Sequence, residues 1–262
     1  MPFTSLLLAA VTPAPALAPA GPWVVDVEEN MCLLERSYPA GDQKISLIFQ
    51  PLLDTGGLEL YVTTADKSDR QYQGAFTVHA GAAAQVFTGK YYSVWSAKSR
   101  TRLTRLTARR DLLDQLKDGD TLDVQAKPVS LAFKIVRPDK ARVTLQGCIA
   151  DLKKSWGIDD ELASRVVEPL EGNPARYFNS GSYPPEAYQK GIYGRVIALL
   201  NITPEGAVEH CRIVSSAGTA LNDGTCKVAM RIKFKPPRDK DGKPLPSTYT
   251  LPVRWVLPGA LD

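Results

Sequence analysis

From Trp23 to about Leu152, apolar and polar residues alternate in short runs separated by Gly, Asp and Pro. Lys44-Ile45-Ser46-Leu47-Ile48-Phe49 and Leu58-Glu59-Leu60-Tyr61-Val62 show the pattern most clearly. Ala75 to His79, Tyr91 to Trp95, Leu122 to Ala126, Val129 to Ile135 and Ala141 to Leu145 repeat it. A period of two with turn residues between runs predicts an antiparallel sheet packed on one face. One helix is expected at Asp111 to Lys117, where Leu112, Leu113 and Leu116 share a face and Gly119 supplies a stop. This half, residues 21–150, therefore reads as a mostly antiparallel β domain with one helix, a small sandwich or open barrel.

Between Ile149 and Arg176 the pattern turns helical through Leu152, Trp156, Leu162, Val166 and Val167, then breaks at Pro169, Gly172 and Pro174. Residues 151–173 are read as a helical connector, too short and too poor in Pro to act as a long rod. A second domain, 174–262, follows. Tyr183 to Gly191 predicts a short helix with Pro in its first turn and Gly at its end. Val196, Ala198, Leu200 and Ile202 alternate as a strand, Thr203-Pro204-Glu205-Gly206 has turn chemistry, and Val208 to Val214 returns. A helix fits Thr219 to Lys233, with Leu221, Thr225, Val228 and Ile232 on one stripe. In the last strand, Thr248 to Leu257, Tyr249, Leu251, Val253 and Trp255 alternate with Thr250, Pro252 and Arg254. Pro252 cannot donate to a ladder, so this strand belongs at an edge or a bulge. The expected fold class is α+β, with a β-rich N-terminal domain and a C-terminal sheet packed with helices.

Several of these residues carry a resemblance. Tyr183-Pro184 before the first helix, Gly194 and Gly206 around the first strand and turn, and Ser215-Ser216 followed by Gly218 and Leu221 stand in one register. Phe234-Lys235-Pro236-Pro237 and Leu251-Pro252-Val253-Arg254-Trp255 complete it. In order and spacing, residues 174–258 resemble the periplasmic C-terminal domain of the TonB family. Ala217 is an extra residue in what is usually Ser-Ser-Gly, Asn222 replaces a usual Asp, and Trp255 stands where Phe is commoner. The resemblance implies a non-enzymatic binding protein of the cell envelope. Its protein partner would be of the kind of an outer-membrane transporter, whose extended plug segment adds a strand to the sheet. The partner-binding residues so implied are Tyr249, Leu251, Val253, Arg254 and Trp255, unless Pro252 protects that edge from pairing. Energy-transducing members of the family have a membrane helix followed by a long Pro-rich spacer, and neither feature is seen in this sequence. An alternative function is therefore a structural or envelope-binding protein that recognises its ligand through the N-terminal β domain. That half resembles the small exported proteins of the invasion-associated locus B type, a likeness that carries no function with it.

Length and composition fit this division. The 262 residues favour two domains, and 44% hydrophobic with 23% charged residues is the composition of a folded chain. A net charge of +4 from 32 basic and 28 acidic residues gives no reason to expect nucleic acid. One local basic cluster, Lys98, Arg100, Arg102, Arg105, Arg109 and Arg110, suits either an anionic envelope component or a solvated face. Association with a second copy of the chain is left open.

Residues 1–20 read as a secretory signal peptide: Ser5 to Val11 is apolar, Thr12 to Ala20 is rich in Pro and Ala, and Ala18-Pro19-Ala20 offers a cut. No Lys or Arg precedes the apolar run, and a disordered tail or a mis-chosen start is the alternative. The run falls short of the roughly 20 residues that a bilayer requires. The expected location is the periplasm. There the simplest pairing of the four cysteines is Cys32 with Cys148 and Cys211 with Cys226, one of three connectivities. Free thiols in a cytosolic protein are the alternative. The cysteine spacing lacks the paired knuckles of a zinc site, so no metal and no cofactor are expected. No catalytic residues are expected either: His79 and His210 stand alone in strands, and Ser215-Ser216 lacks a strained nucleophile turn. Asp118-Gly119-Asp120 lacks the further ligands of a calcium loop.

Overall fold

The computed structural model describes residues 15–28, 30–41, 43–53, 57–65, 68–81, 85–97 and 99–257. They divide into two units, the first built from 15–26, 33–51 and 57–145, the second from 27–32, 52–53 and 146–257.

The alternating runs of the first half form strands β1 (Val24–Glu28), β2 (Met31–Ala40), β3 (Gln43–Pro51), β4 (Gly57–Ala65), β5 (Tyr72–Ala80), β6 (Gln85–Ser96), β7 (Thr101–Arg109), β8 (Thr121–Ala126) and β9 (Val129–Lys134). They lie in one nine-stranded sheet, β1-β2-β3-β4-β7-β6-β5-β8-β9, so the sandwich alternative is excluded. Pairing is antiparallel from β2 to β9, with β4 against β7 and β5 against β8, which inserts the β5–β6–β7 meander in reverse. Every second residue points inward: Leu34 and Tyr38, Leu47 and Phe49, Leu58, Leu60 and Val62, and Leu122 and Val124 are buried. Each such side chain contributes roughly 1.5–3 kcal/mol.

The sheet curls far enough that Tyr38 of β2 donates to the Lys134 carbonyl at the end of β9 at 3.3 Å and packs on Phe133 at 4.9 Å. The segment from Leu17 to Trp23 bridges the same gap. Leu17 exchanges backbone bonds with Ala132 and Lys134 of β9, and the Ala20 amide donates to Ser37 of β2. The end of the expected signal segment is thus bonded into the sheet, while residues 1–14 lie outside the described residues.

Burial raises the Tyr38 phenol to about 12 from its ordinary 10.0, against the opposing charge of Arg36. A phenol is neutral when protonated, so the stability it contributes is complete below pH 10.0 and is lost as pH rises through about 12. Tyr38→Phe is expected to flatten that alkaline loss, followed as denaturant midpoint against pH; an unchanged slope would contradict the assignment.

Helix α1 (Asp111–Gln115) forms where expected, burying Leu112, Leu113 and Leu116, and Gly119 beyond it has φ +84°. The strand expected at Ala141 to Leu145 is instead part of helix α2 (Pro138–Trp156). Three alternating residues fit both periods. The longer stripe Ala141, Leu145, Cys148, Leu152 and Trp156, all buried, follows helical spacing and prevails, and Val143 between them is 68% exposed. Strands β1, β2 and β7 were not among the expected runs.

In the stretch read as a connector, the Asp159 carboxylate caps α3 (Asp160–Ser164) by accepting from the Glu161 and Leu162 amides at 2.9 and 3.0 Å. Residues 167–171 then pair with 235–238 through backbone bonds between Glu168 and Arg238 and between Glu171 and Lys235. Two turns of 3-10 helix and α4 (Pro185–Gln189) lead into β10 (Gly194–Ile202), β11 (Val208–Ser215), α5 (Thr219–Ala229) and β12 (Ser247–Trp255). Helix α5 ends four residues short of the expected Lys233, where Arg231 and Ile232 bond back three residues to Val228 and Ala229.

Both cysteine pairs read from the sequence are joined. Cys32–Cys148 and Cys211–Cys226 have Cα separations of 6.1 and 5.6 Å, and the latter ties β11 to α5. Closing a loop of this length in the unfolded chain stabilises by about 3 kcal/mol. Cys226→Ser is therefore expected to lower the stability of the second unit by about that much in denaturant titration. A change well under 1 kcal/mol would mean that the link does not constrain the chain.

Candidate functional site

The three strands of the second unit lie in the order β11-β10-β12, so β10 is central and, among the described residues, β12 has a neighbouring strand on one side only. The two outer strands differ. β10 pairs with β12 over nine consecutive residues, Gly194↔Trp255 to Ile202↔Ser247, without a shift. Its ladder with β11 slips between Ile197 and Ala198 and again between Asn201 and Ile202. Bulges of this kind twist an edge away from further pairing. β11 is also bound from outside by its own Arg212, whose Nη2 donates to the Trp156 carbonyl at 2.8 Å. The regular edge is β12.

The expected binding residues all lie on this strand, but their side chains separate. Leu251, Val253 and Trp255 turn into the core with Val196, Ala198, Leu200, Leu221 and Ile232. Trp255 is held by a 2.9 Å bond from Nε1 to the buried Thr225 hydroxyl and by edge-on contacts with Phe178 and Tyr183 at 5.9 and 5.3 Å. Tyr249 is half-buried against Phe234, and Arg254 is exposed. Side chains of the inward set are therefore not a contact surface, and the backbone of the strand is.

Pro252 fixes which backbone groups face out. It sits opposite Ile197 in the unbroken β10 ladder, and a residue without an N–H fits there only if its nitrogen faces away from β10. In an antiparallel pair the orientation alternates, so Thr248, Thr250, Pro252 and Arg254 present their backbone outward while Tyr249, Leu251, Val253 and Trp255 bond inward. The outward row thus holds three donors, at Thr248, Thr250 and Arg254, and an acceptor at each of the four positions. Sequence reasoning located the strand but passed over Thr248 and Thr250 as donors; the phase of Pro252 was the available signal.

A cavity of about 260 Å³ opens at the start of this edge, where Ser247 and Thr248 meet Leu162, Val166, Leu170 and Pro246. Its wall is apolar apart from Asp159 and the strand itself, and the Ser247 hydroxyl is buried without a partner among the described residues. Neither the α3 segment nor residues 166–170 had been read as part of a site.

The turn that begins the β10–β11 hairpin's return depends on Gly206, at φ +80°, where a Cβ would collide with the Phe234 carbonyl oxygen. Phe234 in turn donates its amide to Gly206 at 2.9 Å, which fastens the hairpin tip to the chain leaving α5.

Elsewhere the expected chemistry is dispersed. His79 lies in β5 and His210 is exposed on β11, beside Glu209. Among the described residues no group of three His, Cys, Asp or Glu is arranged to hold a metal, and no helix is long and apolar enough to cross a membrane. The basic cluster does not share one face. Arg102 is fully buried, donating to the Ser68 carbonyl and lying over Tyr72; Arg105 faces Glu59, and Arg109 pairs with Asp111 at 2.8 Å. Arg100 and Arg110 are the exposed or flanking members, and Lys98 lies outside the described residues.

Residues 180–257 match the family described as Gram-negative bacterial TonB protein C-terminal. Comparison with curated proteins and with solved structures gives no match. The segment matched contains α4, the β10–β11 hairpin, α5 and the β12 edge, and its fold is consistent with a TonB-family C-terminal domain.

Proposed function

We propose that the protein is an exported, periplasmic, non-enzymatic binding protein whose β12 edge takes an extended segment of a protein partner as a further strand. The observation that carries this reading is the regular edge of β12, unpaired among the described residues, with donors at Thr248, Thr250 and Arg254. Strand addition draws affinity from such a row of backbone groups and selectivity from neighbouring pockets. The cavity beside Thr248 is of a size for one large apolar side chain of the incoming strand. Two disulfides and no free cysteine among the described residues suit an oxidising compartment such as the periplasm. The plug segment of an outer-membrane transporter is the first candidate partner, by analogy with the family.

Placing a photo-crosslinking amino acid at the exposed Arg254 position and identifying adducts in cells by mass spectrometry tests the reading. Adducts on an extended periplasmic segment of an outer-membrane protein are expected. Adducts confined to soluble enzymes or to cytoplasmic proteins would overturn it.

A further inference from the structure

The first unit holds a second cleft, unrelated to the β12 edge. On β2 the inward residues are Cys32, Leu34, Arg36 and Tyr38, so Arg36 occupies a position where an apolar side chain would be ordinary. It is only 7% exposed. Two of its nitrogens hold the chain together: Nε donates to the Gly21 carbonyl at 2.9 Å and Nη1 to the Val136 carbonyl. The remaining Nη2 has no partner among the described residues. Trp23 lies over the guanidinium at 5.0 Å and is itself fixed by a 3.0 Å bond from Nε1 to the Val136 carbonyl.

This buried cation forms one wall of a cleft of about 760 Å³. Arg137 and Lys140, from the entry and first turn of α2, also line it, with Pro22, Val25 and Ala141 supplying apolar surface. No carboxylate lines the cleft among the described residues. Asp118 is not in its lining, though its Oδ1 accepts from the Arg137 amide at 2.7 Å and its charge acts on Arg36, and Asp139 pairs with Arg142. The side chains of Arg137 and Lys140 have no ion-pair partner among the described residues. Arg36 loses its proton more readily than an ordinary arginine, first because of burial and then because Arg137 repels it, while Tyr38 and Asp118 act the other way. Three cations lining a partly apolar space leave charge that an anion would compensate, and the start of a 19-residue helix adds the positive end of its dipole.

We infer that this cleft is a binding site for a phosphate-bearing ligand with an apolar portion, its anionic group between Arg36, Arg137 and Lys140 and its apolar portion along Trp23 and Val25. The volume is that of an ordinary small-molecule site. Arg36, Trp23, Arg137 and Lys140 all lie beyond the expected signal cut at Ala20, so processing there would leave them in place.

The test uses the full chain at low ionic strength, titrated calorimetrically with phenyl phosphate, with inorganic phosphate, and with vesicles containing phosphatidylglycerol. Arg36→Gln risks the fold, because it releases Gly21 and Val136. Arg137→Gly and Lys140→Ala do not share that risk. Arg137 has φ 50°, a conformation glycine adopts without strain, and Lys140 is exposed. Each is expected to weaken phenyl phosphate binding about tenfold, since a charge-assisted contact is lost, while Lys154→Ala on the exposed end of α2 leaves it unchanged. Phenyl phosphate is expected to bind more tightly than inorganic phosphate. Vesicle binding that falls in the same two variants assigns the ligand to a lipid headgroup; phenyl phosphate binding without vesicle binding assigns it to a soluble phosphate, and either supports the site. Absence of binding to all three probes, or binding indifferent to both substitutions, overturns it.

Discussion

Trp255→Ala is expected to destabilise the second unit by about 3–5 kcal/mol, the cost of removing a large buried aromatic from a packed core. The side chain is 5% exposed, meets Phe178 and Tyr183 edge-on, and donates to Thr225. Thr225 sits on the buried stripe of α5 and spends its own proton on the Leu221 carbonyl at 2.8 Å, so it acts toward Trp255 purely as acceptor. Deleting the indole therefore unfastens β12 from α5 and from the segment before α4 together. Trp255→Phe keeps the ring contacts and loses the hydrogen bond, and is expected to cost nearer about 1 kcal/mol. Denaturant titration followed by near-UV circular dichroism reads both. Equal losses for the two variants would show that the hydrogen bond, rather than ring packing, holds the strand.

Thr250→Pro is expected to weaken partner binding by roughly ten- to hundredfold while leaving the fold in place, because one outward donor is removed and the partner's carbonyl is left facing a proline ring. The substitution is selective because of the phase set by Pro252. Thr250 shares its outward orientation, so no bond to β10 depends on its N–H. Leu251→Pro, one residue on, strikes an inward donor and is expected to break the ladder and unfold the strand. Thr250 is itself 9% exposed, so Thr250→Val serves as the companion that alters the side chain and retains the donor. Affinity for the crosslinked partner's segment, measured beside thermal unfolding, separates the outcomes. If Thr250→Pro binds as the wild type does, strand addition at β12 is wrong whatever its effect on stability.

Much of the C-terminal domain was legible because its signals are local. The Pro184–Pro185 entry to α4, the turn ending in Gly206, the stripe Leu221-Thr225-Val228-Ile232 and the alternation from Tyr249 to Trp255 each name an element, and each lies where expected except that α5 stops at Ala229, before Ile232. The cysteine pairing was also accessible, since keeping each link inside one expected domain left one simplest choice. What escaped depends on distant residues. Ala141-Val143-Leu145 reads equally as strand or helix until the stripe continues to Trp156. β2 was hidden by Arg36, a cation at an inward position whose role appears only once Gly21 and Val136 are seen beside it. β7 was read as a basic cluster, because the inward turn of Arg102 toward Ser68 and Tyr72 has no signature in sequence. The strand order that leaves β12 at an edge is likewise a property of the sheet, although Pro252 hinted at it.

The edge assignment is tested most directly by amide hydrogen exchange at single-residue resolution, with and without the bound partner segment. In the free protein the amides of Thr250 and Arg254 should exchange quickly, and those of Leu251, Val253 and Trp255 slowly. Binding should slow Thr250 and Arg254 and leave the other three as they were. Slow exchange at Thr250 and Arg254 in the free protein, or no change there on binding, would contradict the account.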